Sequence, residues 1–250
     1  MKRLLREFLG AVQFLTRVPV PQRLNGEIVL ARTAPYFPLV GVLLGLAAGG
    51  IDAAVRAHLG TLAAAAVAVL FLVLITGALH EDGLADSADG FGAGKTPEQI
   101  LAIMRDSRIG SYGAIAVALS LLLRVAFIAA LPARDALAYF VSAETLSRWS
   151  ALPLAHFLPP ARQGGPSAGQ GARLARSVSP LAVGIATLIA AAVTVASLHT
   201  ASWRPWAACL LTTAACGVYF RRRIGGVTGD CFGATIQCVA MAVYLCGAWR

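Results

Sequence analysis

Charged residues are scarce in this sequence: Asp, Glu, Lys and Arg make up 13% of the 250 residues, whereas 58% are hydrophobic. So low a charge content excludes an ordinary soluble domain. Cysteine is also scarce, and none of the five cysteines forms a C-x-x-C pair, which excludes the common zinc and redox motifs. The composition therefore predicts a membrane protein whose cysteines pack as small apolar residues between helices.

Seven apolar runs are long enough to cross the roughly 30 Å hydrocarbon core of a bilayer. They are rich in Ala, Leu, Val and Gly and show no period-2 alternation, so we expect one all-α, polytopic membrane bundle rather than a barrel. Residues 2–16, inside an N-terminal segment 1–33, have apolar side chains at helical spacing, which predicts an amphipathic surface helix. The predicted spans are 34–55, 61–79, 111–131, 136–158, 179–199, 205–220 and 231–249.

The positions of the basic residues predict the orientation of the chain. Most of the 21 Lys and Arg residues lie in segment 1–33 and in alternate loops after it. Basic loops stay in the cytoplasm, so we expect a multi-pass protein of the cell inner membrane with the N-terminus and loops 80–110 and 221–230 inside. The same signal explains the net charge of +9, and because the basic residues form no nucleic-acid-binding motif, we expect no nucleic-acid partner.

The stretch HEDGLADSADGFGAGKT, His80–Thr96, concentrates acidic residues beside an apolar run. If the second span continues as a helix, Asp82, Asp86 and Asp89 fall on one face, where their like charges repel one another. A divalent cation removes this repulsion, and Mg²⁺ binds a few carboxylates together with substrate phosphates. We therefore expect these three aspartates to be metal ligands rather than a solvated acidic surface, and His80 to pack at the interface.

Two further motifs are predicted to face the same compartment. Glycine-rich turns bind anions through backbone N–H groups, and arginine binds phosphate with two hydrogen bonds, so both motifs suit a diphosphate. IMRDSRIG (103–110) offers Asp106, Ser107 and Arg108, and RRRIGGVTGD (221–230) offers Arg221, Arg222, Arg223, Thr228, Gly229 and Asp230. In the fourth span Glu144 and Arg148 are four residues apart and can form an ion pair; a structural role and a substrate contact both remain open for it.

The strings HEDGLADSADG, IMRDSRIG and GGVTGD, in this order, resemble the adenosylcobinamide-GDP ribazoletransferase (cobalamin 5′-phosphate synthase) family. RVPVP and FPLVGVLLG near the N-terminus and SR at 147–148 extend the resemblance over nearly the whole chain. It implies an integral-membrane, Mg²⁺-dependent enzyme near the end of vitamin B12 assembly. Such an enzyme joins adenosylcobinamide-GDP to α-ribazole, or to its 5′-phosphate, and releases GMP.

The resemblance also implies roles for residues. Asp82, Asp86 and Asp89 would hold Mg²⁺. Asp89 or Asp106 is our candidate general base, chosen only for its place in the cluster. The substrates would be bound by Ser107, Arg108, Arg148, Arg221, Arg222, Arg223, Thr228, Gly229 and Asp230. Gln237 and Ala240 stand where many relatives are expected to have acidic residues. A homo-oligomer, or association with other cobalamin-assembly enzymes, remains open.

Two other functions compete with this interpretation. A CDP-alcohol phosphotransferase of lipid synthesis uses a similar aspartate-rich membrane motif, but here no Ala-Arg pair follows the first Asp-Gly. A cation transporter could use the aspartates as a pore mouth, and it would need polar residues throughout the spans. The spans offer only Asp52, Arg124, Glu144 and Arg148, two of which are basic. We therefore favour the transferase.

Overall fold

The computed structural model describes residues 2–20, 30–161 and 169–249. These ranges form α-helices joined by short connections, with 3-10 turns at Ala34–Tyr36 and His199–Ser202 and no β-strand, which confirms the all-α class. The helices are α1 Lys2–Leu15, α2 Leu30–Thr33, α3 Phe37–Thr76, α4 Leu79–Ala93, α5 Pro97–Ile103, α6 Ser111–Ala129, α7 Ala133–Phe157, α8 Gln170–Ser177, α9 Pro180–Leu198, α10 Trp203–Ile224 and α11 Gly229–Ala248.

Four segments among the described residues are long and apolar enough to cross a membrane: Leu30–Thr76, Ser111–Ala129, Pro180–Ile224 and Gly229–Ala248. The first and third are 47 and 45 residues long, and each contains a break in its helical backbone. Gly60 has φ +79° inside α3, and His199 has φ +48° where α9 ends. These breaks fall between predicted spans, so the structure supports a multi-pass protein without confirming the count of seven.

Helix α7, the predicted fourth span, lies at the centre of the bundle, and nearly every residue from Tyr139 to Ala155 is buried. Helix α3 packs closely against it through glycines. A Cβ atom on Gly45 would lie 2.6 Å from the carbonyl oxygen of Phe140, which means that only glycine allows the two backbones to approach this closely. Because α7 is enclosed on all sides, it can carry buried polar groups that lipid would not tolerate.

The regions predicted as cytoplasmic loops meet at one end of the bundle. Arg17 N donates to Ile75 O (2.7 Å), which places the end of α1 beside the end of α3. Arg223 Nη2 donates to Gly94 O (3.0 Å), which joins the end of α10 to the end of α4. Both predicted loops are partly helical, however: 80–110 contains α4 and α5, and 221–224 is the last turn of α10.

Candidate active site

Helices α4 and α11 cross at a pair of glycines. A Cβ atom on Gly83 would lie 2.9 Å from Asp230 O and 3.2 Å from Gly233 Cα, so a larger residue would push the helices apart. Thr228 caps α11, since its hydroxyl accepts from Cys231 N (3.3 Å) and donates to Asp230 Oδ2 (3.2 Å). The crossing therefore places the acidic helix α4 directly against the TGD turn, Thr228–Asp230.

A cavity of about 250 Å³ opens at this crossing, here called the α4–α11 cavity. Its polar wall contains His80, Asp82, Thr228 and Asp230 from the two helices. The apolar wall comes mainly from α1, α8 and the starts of α3 and α4, with further contributions from α7 and α11. Apolar side chains in it are Phe14, Leu15, Phe37, Leu79, Ala151, Ala172, Leu174, Val227, Phe232 and Ile236. Of the sequence-predicted site residues, the cavity brings together Asp82, Thr228, Gly229 and Asp230.

The three aspartates of α4 differ in environment. Asp82 is exposed and Asp86, one turn later, is half-buried. Asp89 is buried, and its carboxylate accepts hydrogen bonds from Gly110 N (2.7 Å) and Gly113 N (2.8 Å) at the start of α6. Because Asp89 caps α6, the three carboxylates do not converge, and across the described ranges no three Asp, Glu, His or Cys residues group closely enough to hold a metal ion.

The second motif lies on the surface beside α6 rather than in the cavity wall. Arg108 Nη2 pairs with Asp106 Oδ2 (2.5 Å), and Arg108 N donates to Asp106 Oδ1 (3.1 Å). These hydrogen bonds hold the pKa of Asp106 at about 2. A carboxylate with so low a pKa is a poor proton acceptor near neutral pH, which argues against Asp106 as general base. Ser107 is exposed.

The three consecutive arginines of α10 have different surroundings. Arg223 Nη2 donates to Phe91 O (3.3 Å) as well as to Gly94 O, so its positive charge lies against the carboxyl-terminal end of α4. A cation there complements the helix dipole, which is a structural role. Arg221 and Arg222 are exposed, and Arg221 lines a groove of about 340 Å³ between α7 and α10.

Arg148 is buried in α7 and forms the expected ion pair with Glu144. Tyr244 Oη donates to Glu144 Oε1 (3.0 Å), and Arg148 Nη1 donates to Ser147 Oγ (3.1 Å). Arg148 does not line the α4–α11 cavity. The geometry therefore favours the structural role that the sequence left open over a direct substrate contact.

A second buried polar cluster was not predicted from the sequence. Arg124 Nη1 donates to Glu81 Oε1 (2.9 Å) and to Gln237 Oε1 (2.8 Å), and Gln237 Nε2 donates to Glu81 Oε1 (2.9 Å). The cluster joins α4, α6 and α11 directly behind the cavity. Two features of the sequence could have indicated this cluster: Glu81 is next to Asp82, and Arg124 is a basic residue inside a predicted span. Gln237, expected to be acidic in many relatives, here completes this cluster.

The apolar half of the cavity was also missed. Residues 163–168 lie outside the described residues, and Gln170–Ser177 form helix α8. Leu174 is 1% exposed, and Gly171 packs against Gly229 so closely that a Cβ atom would clash with the Gly229 backbone. The apolar residues of α1 and α8 recur at helical spacing, and this pattern was the sequence feature that could have predicted the apolar lining of the cavity.

Comparisons with known proteins place nearly the whole chain in one family. The family model for cobalamin-5-phosphate synthase matches residues 7–248. An adenosylcobinamide-GDP ribazoletransferase from Azorhizobium caulinodans is 43% identical, with 96% of this chain and 94% of the relative aligned. Relatives of the same name from Ralstonia nicotianae and Rhizobium meliloti are each 40% identical over 93% of this chain and 91% and 92% of their own lengths. No solved structure matches.

Proposed function

The chain belongs to the cobalamin-5-phosphate synthase family, and we propose that its α4–α11 cavity is where the family's reaction takes place. The protein is an adenosylcobinamide-GDP ribazoletransferase that acts in the final assembly of cobalamin. Its substrates are adenosylcobinamide-GDP and α-ribazole or the 5′-phosphate of α-ribazole. The main support for placing the reaction in this cavity is the close glycine crossing of α4 and α11, which brings Asp82 and Asp230 to one cavity. The comparisons support neither a CDP-alcohol phosphotransferase nor a cation transporter.

The proposed reaction is a phosphoryl-type transfer. A hydroxyl oxygen of ribazole forms a bond to the phosphorus attached to cobinamide, while the bond from that phosphorus to the bridging oxygen of the diphosphate breaks. GMP leaves with the bridging oxygen, and the hydroxyl proton passes to a base. Such transfers depend mainly on positioning and on stabilising negative charge, so the protein must supply a rigid site with positive charge near the diphosphate.

Magnesium fits the oxygen donors at this site. Mg²⁺ commonly takes one or two protein carboxylates together with phosphate oxygens and water, so a three-aspartate set is not required. We propose Asp82 and Asp86, one turn apart on α4, as ligands, with Asp230 lining the same cavity as Asp82. When bound, the ion would neutralise negative charge on the diphosphate. Asp89 is better suited to capping α6 than to metal binding, because both its oxygens already accept backbone hydrogen bonds.

Other residues of the chain complete the proposed site. The first turn of α11 begins at Gly229 on the cavity wall, and the partial positive charge of a helix N-terminus favours a phosphate there. Arg221 and Arg222 are exposed at the same end of the bundle and would attract the anionic substrates. Asp230 replaces Asp89 and Asp106 as the candidate proton acceptor, since it lines the cavity and Asp82 is assigned to the metal ion.

We also propose that this end of the bundle faces the cytoplasm across the inner membrane. The basic residues of α1 and α8 and the three arginines in the last turn of α10 lie at the same end as the cavity, as the positive-inside rule expects. Single cysteines placed at Ser107 and at Ala201, in a chain whose native cysteines are replaced by alanine, would test this with a membrane-impermeant thiol reagent. Only the Ala201 site should react in intact spheroplasts; labelling of Ser107 alone would reverse the orientation.

The decisive experiment measures GMP release by the purified protein in nanodiscs supplied with adenosylcobinamide-GDP, α-ribazole 5′-phosphate and Mg²⁺. EDTA should abolish release, and Asp82→Asn should slow it about a hundredfold or more. Asp135→Asn is the matched control, because Asp135 pairs with Arg134 on the surface outside the site. An Asp82→Asn protein that releases GMP at the parent rate would refute the placement, and no release from the folded parent would refute the function.

A further inference from the structure

The lining of the α4–α11 cavity is mainly apolar and includes a few polar groups. Phe14 and Phe37 stack on each other, and Phe232, neighbouring leucines and Ile236 also line the cavity. The carboxylates of Asp82 and Asp230 and the hydroxyl of Thr228 contribute polar groups to the rest of the lining. A site built this way suits a ligand that has one flat apolar part and one part rich in hydroxyl groups.

The size of the cavity restricts which part of the substrates can enter it. Its volume of about 250 Å³ is below the usual range for pockets that enclose a drug-sized ligand. A corrin macrocycle with its adenosyl and nucleotide groups is several times larger than a nucleoside and would have to remain outside. The candidates that fit are therefore the two nucleoside portions, the guanosine of the donor and the ribazole acceptor.

Hydrogen-bonding demand separates these two candidates. Guanine has donors and acceptors on several edges, and each one buried without a partner weakens binding roughly tenfold. The dimethylbenzimidazole base of ribazole has only one ring nitrogen available for a hydrogen bond and is otherwise apolar. The apolar wall would leave most polar groups of guanine without partners, whereas it matches the methylated rings of ribazole.

One buried side chain in the lining can serve that single nitrogen. His80 is 3% exposed and lines the cavity, and its Nε2 has no hydrogen-bond partner in the part of the chain that the structure describes. Buried polar atoms are nearly always paired in folded proteins, so this unpaired nitrogen on a lining residue is free to bind a ligand once the ring turns toward the cavity. As the Nε2–H tautomer, His80 would donate to the ring nitrogen of the base.

We propose that the α4–α11 cavity is the acceptor subsite, which holds the base of ribazole against Phe14, Phe37 and Phe232 and hydrogen-bonds it to His80. The ribose hydroxyls then lie beside the carboxylates of Asp82 and Asp230, where one hydroxyl attacks the donor that approaches from outside. This assignment rests on the proposed function. It explains how a small cavity serves a reaction with a very large donor.

The first test is calorimetric titration of α-ribazole into the protein in nanodiscs, without the corrinoid donor. Ala151→Leu places a larger side chain in the cavity and should weaken binding about tenfold or more. Ala214→Leu is the matched control, because it makes the same change in the α7–α10 groove and should leave the affinity unchanged. Gly169→Leu, at an open position of the rim, gives a second obstruction that does not disturb the core.

Two further measurements identify the bound group. GMP should not displace α-ribazole, and His80→Phe should weaken ribazole binding about tenfold, since it keeps an aromatic ring at this position and removes the nitrogen. Under turnover, Ala151→Leu should raise the KM for the acceptor and leave the KM for adenosylcobinamide-GDP unchanged. Competitive displacement by GMP, or a KM effect confined to the donor, would overturn the assignment.

The outcomes distinguish this inference from the proposed function. Ribazole binding that Ala151→Leu weakens, without GMP release by the folded parent in the full assay, would leave the subsite standing and refute the proposed function. GMP release whose acceptor KM does not respond to Ala151→Leu, Gly169→Leu or His80→Phe would retain the reaction and refute the subsite.

Discussion

Replacing Asp89 with asparagine should destabilise the protein while leaving its proposed requirement for magnesium unchanged. The Asp89 carboxylate is buried and accepts N–H groups from Gly110 and Gly113, so it satisfies two donors at the start of α6. Hydrogen bonds to a charged group contribute about 1.5–3 kcal/mol each. Asparagine has one acceptor oxygen and presents an NH₂ group to the other donor, so we expect a loss of about 2–3 kcal/mol.

The assay is thermal unfolding in detergent, followed by the magnesium dependence of GMP release. For a chain of this length a loss of about 2–3 kcal/mol lowers Tm by roughly 5–10 °C. Asp82→Asn serves as the opposite case: Asp82 is exposed, so Tm should change little while activity falls. If Asp89→Asn melted like the parent and needed about tenfold more Mg²⁺ for half-maximal activity, Asp89 would be a metal ligand and the capping argument would fail.

Three shorter predictions follow from other contacts. Gly83→Ala should lower both stability and activity, because its Cβ atom would lie 2.9 Å from backbone oxygen at the α4–α11 crossing; Gly50→Ala, with no atom within 4 Å, should be tolerated. Glu81→Met should cost about 3–5 kcal/mol in denaturant unfolding, and adding Arg124→Met should restore part of it, since the single change leaves a buried charge unpaired. Asp106 has a pKa of about 2, below its usual 3.8, so the stability it gives is present above pH 3.8 and is lost only as pH falls through 2. Asp106→Asn should therefore leave the shape of the pH–rate profile above pH 5 unchanged.

Periodicity and composition predicted the helices well, because apolar length is a local property of the sequence. The positions of breaks at Gly60 and His199 agree with the predicted ends of spans. The acidic stretch was predicted only in part. The structure confirms that Asp82, Asp86 and Asp89 lie on one helix at positions i, i+4 and i+7. That helix does not continue the second span. Gly77 and Ala78 have positive φ angles, which end α3 at Thr76 and let α4 begin at Leu79. Local sequence did not reveal that turn.

The partners of each site residue could not be predicted, because they come from distant parts of the chain. Asp89 meets α6, Glu81 meets Gln237 across 156 positions, and Arg223 meets the end of α4. Spacing along one helix shows which side chains share a face, but it does not show what that face packs against. The apolar cavity wall illustrates the same limit, since α1 and α8 are far from the acidic motif in sequence and adjacent to it in space.

Burial divides the carboxylates of this protein into two groups with different uses. An ionised carboxylate removed from water is costly unless cations or N–H groups replace its hydration, and each buried one here has such partners. Asp52 pairs with Arg56, Glu81 with Arg124, Glu144 with Arg148, and Asp89 with two backbone amides. Those carboxylates hold helices together, and a metal ion would have to displace the partners they already have. Asp82 is exposed to water and Asp86 and Asp230 are half-buried, so a metal ion bound to them would replace water to a greater extent than at the buried carboxylates. The proposed metal binding should therefore depend on Asp82 and the half-buried Asp86 and Asp230, however similar the buried carboxylates look in sequence.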